Sequence, residues 1–249
     1  MQRALVVLSG GQDSTTCLFW AKKNFQEVHA VTFDYNQRHK REIESALKVA
    51  QLAKVESHEI VQVGPILKGT SPLVSENDLE QYESWNTLPG GLEKTFVPAR
   101  NALFLVLAAN RAYCLEANAL ITGICEEDFG GYPDCRESFR AAMEAALRTG
   151  LERDFLIYAP LMSRTKADTV RMARELPGCW EALAYTHTSY DGSYPPIGKD
   201  HATLLRAKGF EQAGLPDPLI LRAVKEGLMP LPQTSNYSQC AGYQLPLGF

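Results

Sequence analysis

A run of apolar and small residues, Ala4 to Leu8, gives way without a spacer to Ser9-Gly10-Gly11-Gln12-Asp13-Ser14-Thr15-Thr16-Cys17-Leu18. The run has the length of a buried strand, and Thr15 to Lys22 read as a helix. A strand joined to a helix through a glycine pair makes an anion site. Gly10 and Gly11 have no Cβ, so the backbone can turn sharply and bring its N–H groups close to a phosphate oxygen. The hydroxyls of Ser9, Ser14 and Thr15 add donors, and the helix N-terminus adds partial positive charge. Asp13 sits awkwardly there: a carboxylate beside a phosphate needs either a Mg²⁺ ion between them or backbone donors of its own as a helix cap. No Gly-Lys-Ser/Thr follows, so this is not a Walker A loop, and the spacing is not the GxGxxG of a dinucleotide site. The competing reading is a turn that merely joins a strand to a helix.

The rest of the chain repeats the alternation. Val28 to Phe33 predicts a second strand, ending in Asp34-Tyr35-Asn36-Gln37-Arg38-His39, and Arg41 to Leu52 has the 3.6-residue period of a helix in Ile43, Ala46, Leu47 and Ala50. Glu59 to Val63 reads as a short third strand. From Gly64 to Lys94 the period fades into Pro, Gly, Ser and acidic residues, a long loop or flap and not a linker, because the alternation resumes beyond it. Ala102 to Cys114 predicts a near-continuously apolar helix packed on the sheet. Ala119 to Gly123 follows as a fourth strand, Glu137 to Arg148 as a helix, Ile157 to Leu161 as a fifth strand, and Ser163 to Leu176 as a helix capped by Ser163. This order predicts an α/β fold with a doubly wound, mostly parallel five-stranded sheet. A C-terminal helical region and an extended tail follow, with divisions at 1–176, 177–218 and 219–249. The tail, after a short helix at Leu219 to Glu226, is rich in Pro, Gly and Ser. It also carries Leu228, Met229, Leu231, Tyr237, Tyr243, Leu245, Leu247 and Phe249, which must dock on the protein's own body or on a partner.

Composition excludes little but does exclude some. A net charge of −4 gives no electrostatic reason to expect direct nucleic-acid binding. No apolar run approaches the ~20 residues of a membrane span and no signal peptide is visible, which predicts a cytoplasmic protein with no membrane partner. The six cysteines, Cys17, Cys114, Cys125, Cys135, Cys179 and Cys240, form no CxxC pair, so neither a disulfide framework nor a local zinc motif is indicated.

Polar clusters gather where the strands end, which is where open α/β sheets bind ligands. Ser9-Gly10-Gly11 with Asp13-Ser14 resembles the PP-loop of ATP pyrophosphatases. The motif is joined by Phe33-Asp34-Tyr35 with Gln37-Arg38-His39, by Val97-Pro98-Ala99-Arg100-Asn101, and by Gly131-Tyr132-Pro133-Asp134-Cys135-Arg136. With Pro160-Leu161, Lys166 and Lys208-Gly209-Phe210 added, the set resembles the 7-cyano-7-deazaguanine synthase (QueC) family over roughly Leu5 to Pro218. The resemblance implies a Rossmann-type PP-loop fold and an ATP-dependent ligase. Such a ligase adenylates the carboxylate of 7-carboxy-7-deazaguanine, releases pyrophosphate, lets ammonia displace AMP to give an amide, and dehydrates that amide to a nitrile with a second ATP. It implies an ATP site at Leu8, Ser9, Gly10, Gly11, Gln12, Asp13, Ser14, Thr15 and Phe33, and catalytic roles for Asp13, Arg100 and Lys166, with Mg²⁺ beside Asp13. Substrate contacts are implied for Tyr35, Gln37, Arg38, His39, Arg100, Asn101, Asp128, Tyr132 and Asp134. A homodimer is also implied.

One departure stands out. Where the family carries four zinc-binding cysteines, this chain has Ser189, Ile197, Asp200 and Thr203. A structural zinc wants four well-placed N or S donors, so no zinc is expected, although His187, Asp200 and His201 offer a makeshift set. A second is Asn36 in place of the family's glycine, admissible because asparagine accepts positive φ. Zinc-lacking relatives occur in bacterial antiviral (CBASS-type) systems, where the activated deazaguanine is attached to a protein amine. The resemblance therefore leaves two acceptors, ammonia or a protein with a free amine. A non-catalytic nucleotide- or deazaguanine-binding module is the reading from another class.

Overall fold

The computed structural model describes residues 2–69, 71–75, 78–88, 92–126, 131–238 and 240. Five strands, β1 (Arg3–Val7), β2 (Glu27–Asp34), β3 (Ser57–Gln62), β4 (Ala119–Ile121) and β5 (Leu156–Tyr158), form one sheet in the order β3-β2-β1-β4-β5. Every pairing is parallel, with Val6 of β1 level with Ala30 of β2 and with Ile121 of β4. The fold is thus the expected α/β sheet, and all of its described ladders are parallel.

Both sheet faces are covered, which is why the strands read as continuous apolar runs. Because side chains alternate along a strand, Ala4 and Val6 enter one core while Leu5 enters the other. On the first face lie α1 (Gln12–Asn24), α2 (Arg41–Ala53), α5 (Lys166–Glu175) and α6 (Cys179–Leu183), burying Leu18, Val49, Val170 and Trp180. On the second lie α3 (Arg100–Cys114) and α4 (Glu137–Leu151), which contribute Leu105, Ala108, Ala112 and the partly buried Phe139 and Met143. Helix α3 buries one face only: Val106 and Tyr113 are about half exposed. Several element ends differ from the sequence reading by a few residues, two of them at β5 and α5. Strand β5 ends at Tyr158, and α5 starts at Lys166 because Thr165, not Ser163, accepts from Asp168 N while Asp168 reaches back to Thr165 N.

The region after α5 shares the first core through α6 and through Phe210 of α7 (His201–Ala213). Helix α8 (Pro218–Lys225) follows, capped by Asp217. A buried ion pair holds this region together: Arg206 meets Asp217 at 2.6 and 2.9 Å and also bonds Thr186 and Thr188. The long loop is sewn to it, with Tyr82 N donating to Lys199 O and Lys199 N donating to Gln81 Oε1. Of the tail, Tyr237 is buried against Leu221 and its hydroxyl accepts from Asp217 N, so this part docks on the protein's own body. Tyr243, Leu245, Leu247 and Phe249 lie outside the described residues. No helix among the described residues is long and apolar enough to cross a membrane.

Candidate active site

The chain runs outward from β1 through β2 to β3 and then returns to place β4 on the other side of β1. The gap above the carboxyl ends of β1 and β4 is the topological switch point where open sheets take ligands. A cavity of about 320 Å³ opens there, walled by Leu8 and Ser9 after β1 and by Thr122, Gly123 and Ile124 after β4.

The loop after β1 is a set of interlocked bonds. Ser9 N donates to Ser14 Oγ, the two serine hydroxyls are 3.0 Å apart, and Gly10 O accepts from His187 N at 2.9 Å. Gly10 has φ +87°, and a Cβ there would lie 2.2 Å from Glu42 O. It is bare because α2 packs directly on the loop. Gly123 is bare for a related reason: its Cβ would meet Ser14 N at 3.0 Å, where the loop after β4 presses on the start of α1. Gly11 caps α1, Gln12 and Ser14 face the cavity, and Thr15 is wholly buried away from it with its hydroxyl unpartnered. The amide nitrogen of Gln12, a residue of the cavity wall, is likewise buried without a hydrogen-bond partner. Asp13 meets Lys166 Nζ at 2.7 Å, so a cation from the first turn of α5 balances the carboxylate that the sequence left awkward.

A second group comes from the ends of β2 and α3. Asn36 takes φ +63°, as expected for the residue standing in for glycine. Gln37 turns back to accept from Tyr35 N, and with Tyr35, Arg38 and His39 it lines the cavity. Arg100 opens α3 after Ala99, which is left-handed at φ +61°. Burial alone would lower the Arg100 pKa, but Tyr35, Tyr190, Tyr132 and Asp134 around it hold it above the ordinary value. Phe33 stacks on Phe104 with centroids 4.6 Å apart, and both rings line the cavity. Tyr132 lines it too, its hydroxyl bonded to Thr95.

Asp134 is placed differently from the sequence expectation. It is buried behind the start of α3, where its carboxylate accepts from Asn101 N and its carbonyl from Asn101 Nδ2. It therefore orients Asn101, which does face the cavity. Burial raises its pKa, opposed by Asn101 and Arg100. Asp128 lies outside the described residues.

Sequence reasoning missed Glu42, Leu73, Phe104 and Tyr190, all on the cavity wall, and gave His187 only a metal role. Glu42 had a signal, an acid one turn into a helix that opens beside a polar strand end. Phe104 was hidden in an apolar run, and Leu73 and Tyr190 come from segments without periodicity. Burial lowers the Glu42 charge, pushing its pKa up to about 7 against the pull of Arg100. His187 goes the other way: burial first, then His39, Arg41 and Arg206, take it down to about 4, and Nε2 faces Ser189 O at 2.7 Å.

The positions at which zinc ligands were sought form a hydrogen-bonded knot. Ser189 Oγ lies 2.6 Å from Asp191 Oδ1 and 3.1 Å from Asp200 Oδ2, and Thr203 Oγ1 donates to Asp200 Oδ2 at 2.8 Å. Ile197 points to solvent, 72% exposed. Two hydroxyls, one carboxylate already shared between them and an alkyl chain do not fit a tetrahedral N/S ion. His187 faces Ser189 O, and His201 faces Glu93 at 3.7 Å, so the makeshift set is turned elsewhere.

The chain matches the family described as "Queuosine biosynthesis protein QueC" over residues 3–214. It is 53% identical over 224 residues to a 7-cyano-7-deazaguanine synthase of Gloeobacter violaceus, covering 88% of this chain and 96% of that one. To a 7-cyano-7-deazaguanine synthase of Laribacter hongkongensis it is 45% identical, over 89% and 95% of the two chains. A 4-thiouridine synthetase solved as an RNA complex with bound ATP aligns at a TM-score of 0.49 and 17% identity, over 91% of this chain and 53% of the other. With the family match spanning most of its length and relatives this similar end to end, the chain belongs to the QueC family.

Proposed function

We propose that this chain is an ATP-dependent C–N ligase that adenylates the carboxylate of 7-carboxy-7-deazaguanine and passes the acyl group to ammonia. A second ATP then drives the resulting amide to the nitrile, 7-cyano-7-deazaguanine. The observation that carries the reading is the single cavity in which the serine- and glycine-rich loop, the Asp13–Lys166 pair and the Arg100–Tyr35–Tyr132 group face one another.

Each part answers a chemical need. A carboxylate is a poor electrophile until one of its oxygens belongs to a leaving group, so ATP must be held with its α-phosphate toward the acid. The loop after β1, with the start of α1, offers donors to the outer phosphates. Lys166 is the cation placed to meet negative charge developing there, and preorganised charge of this kind is worth about 10²–10³ in rate. Mg²⁺ accompanying ATP would be held at Asp13, where it would neutralise the phosphates as a Lewis acid. Arg100 is held charged and faces the side where Tyr35, Asn101 and Tyr132 would grip the acid. Phe33 and Phe104 give a flat apolar wall suited to a purine-like ring. Asp134 would act through Asn101 and not on the substrate itself.

The relatives' name ends in the nitrile, which favours ammonia over a protein amine as the acceptor. The test is incubation of the protein with ATP, Mg²⁺, 7-carboxy-7-deazaguanine and ammonium, followed by mass spectrometry and pyrophosphate assay. Substrate-dependent pyrophosphate and AMP with a nitrile product is the expected result. A product that stops at the adenylate or amide would overturn ammonia-to-nitrile chemistry. No substrate-dependent pyrophosphate release at all would leave a binding module.

A further inference from the structure

Among the described residues only two acidic side chains line the cavity, Asp13 and Glu42. Asp13 is engaged by Lys166 at 2.7 Å. Glu42 has no such partner: its carboxyl makes no hydrogen bond to any described residue, and the charge that acts on it is that of Arg100. Tyr35 is the other ionisable group coupled to it. Glu42 is part-buried on the cavity wall, and a carboxylate drawn partly out of water without a hydrogen bond is costly to keep charged.

Its position is also fixed. Glu42 stands in the first turn of α2, and the backbone of that turn is pressed so tightly on the loop after β1 that a Cβ at residue 10 would overlap Glu42 O. The loop after β1 and the backbone that carries this carboxylate are therefore packed together. The same cavity wall carries Arg100 and Tyr35, the groups assigned to the acid end of the substrate.

We propose that Glu42 is the general base of the acyl-transfer half of the reaction. The inference rests on the ligase reading above. In the first round the amine lone pair forms the C–N bond at the acyl carbon. One N–H proton passes to the Glu42 carboxylate, and the C–O bond to AMP breaks with its electron pair leaving on AMP. In the second round the adenylated amide loses its N–H proton to Glu42 as the C–O bond breaks and the C≡N bond closes. No oxidant or reductant is needed. Burial tunes Glu42 toward neutrality, the range in which a base both holds and releases a proton. The three cavity histidines are poorer placed: His187 is bonded to Ser189 O and held neutral, His39 is stacked edge-on against it at 4.7 Å, and His201 faces Glu93 at 3.7 Å.

The experiment separates the two halves of the reaction in the full chain. Substrate-dependent exchange of labelled pyrophosphate into ATP reads adenylation, and amide formed from ammonium reads transfer. In E42Q, amide formation falls by about 10²–10³ while exchange changes far less, the range of a lost general base. E42D, which keeps the carboxylate but shortens it, recovers part of the transfer rate. Equal transfer in E42Q and the wild type would overturn the proposal. So would equal loss of both half-reactions in E42Q and E42D with unchanged melting curves, which would place Glu42 in adenylation. Absence of exchange in the wild type itself would strike the ligase reading, and the role of Glu42 with it.

Discussion

Residue 10 is where the loop after β1 is least forgiving. Gly10 adopts φ +87°, and any side chain there would meet Glu42 O at 2.2 Å and Ala46 N at 2.8 Å, both backbone atoms that cannot step aside. Left-handed strain alone costs a non-glycine residue about 1–3 kcal/mol. Gly10→Ala should therefore destabilise the protein by at least about 3 kcal/mol and also displace α2 from the cavity. Urea denaturation followed by circular dichroism measures the first, and pyrophosphate exchange the second; a variant as stable as the parent would contradict the packing. The sequence made Gly10 legible as a turn, but for a different reason. A bare Cα looks the same whether a phosphate or a helix approaches it. Asp13 shows the same limit, since its partner Lys166 lies far along the chain and no local pattern joins the two.

Elements were read more faithfully than their ends. The five strands and the helices between them follow from apolar runs and 3.6-residue periods, signals that belong to each segment by itself. The start of α5 was misplaced because Ser163 and Thr165 both suit an N-cap, and only the reciprocal bonds with Asp168 decide between them. Helix α7 was hidden in the region read through its missing cysteines. Its start is organised by Asp200, which accepts from Thr203 N and Thr203 Oγ1 and takes Ser189 into the same knot. These bonds hold together the segment in which zinc would otherwise be sought. Exhaustive chelation, with Mg²⁺ restored for assay, should accordingly leave the melting temperature unchanged. Thr203→Val, which removes the hydroxyl donated to Asp200, should cost about 1 kcal/mol. A fall in melting temperature on chelation would show that a metal does hold this region.

For the molecule as a whole, stability should carry the mark of His187. Its native pKa is near 4 against an ordinary 6.5, so about one unit or more above pH 6.5 it is neutral in both states and contributes no pH dependence. Between those values the unfolded chain binds a proton that the native state refuses. Stability must then fall as pH falls, by up to about 1.4 kcal/mol per unit for one proton. His39, lowered chiefly by burial, adds to the same trend. His187→Gln, whose amide can still donate to Ser189 O, should flatten the decline between pH 6.5 and 4 in urea titrations. An unchanged slope would mean that other groups carry it.

The bond from His187 N to Gly10 O has one more consequence, and it concerns time. The loop after β1 leaves the ribosome well before the segment that closes over it, which is complete only after residue 187. At about 5–20 residues per second, roughly 10–35 seconds separate the two. Through that interval the nascent chain displays the glycine loop without the wall that completes it. A protein stalled or cut short before residue 187 would carry a sheet and a glycine loop but no finished cavity, so competence arrives late and all at once.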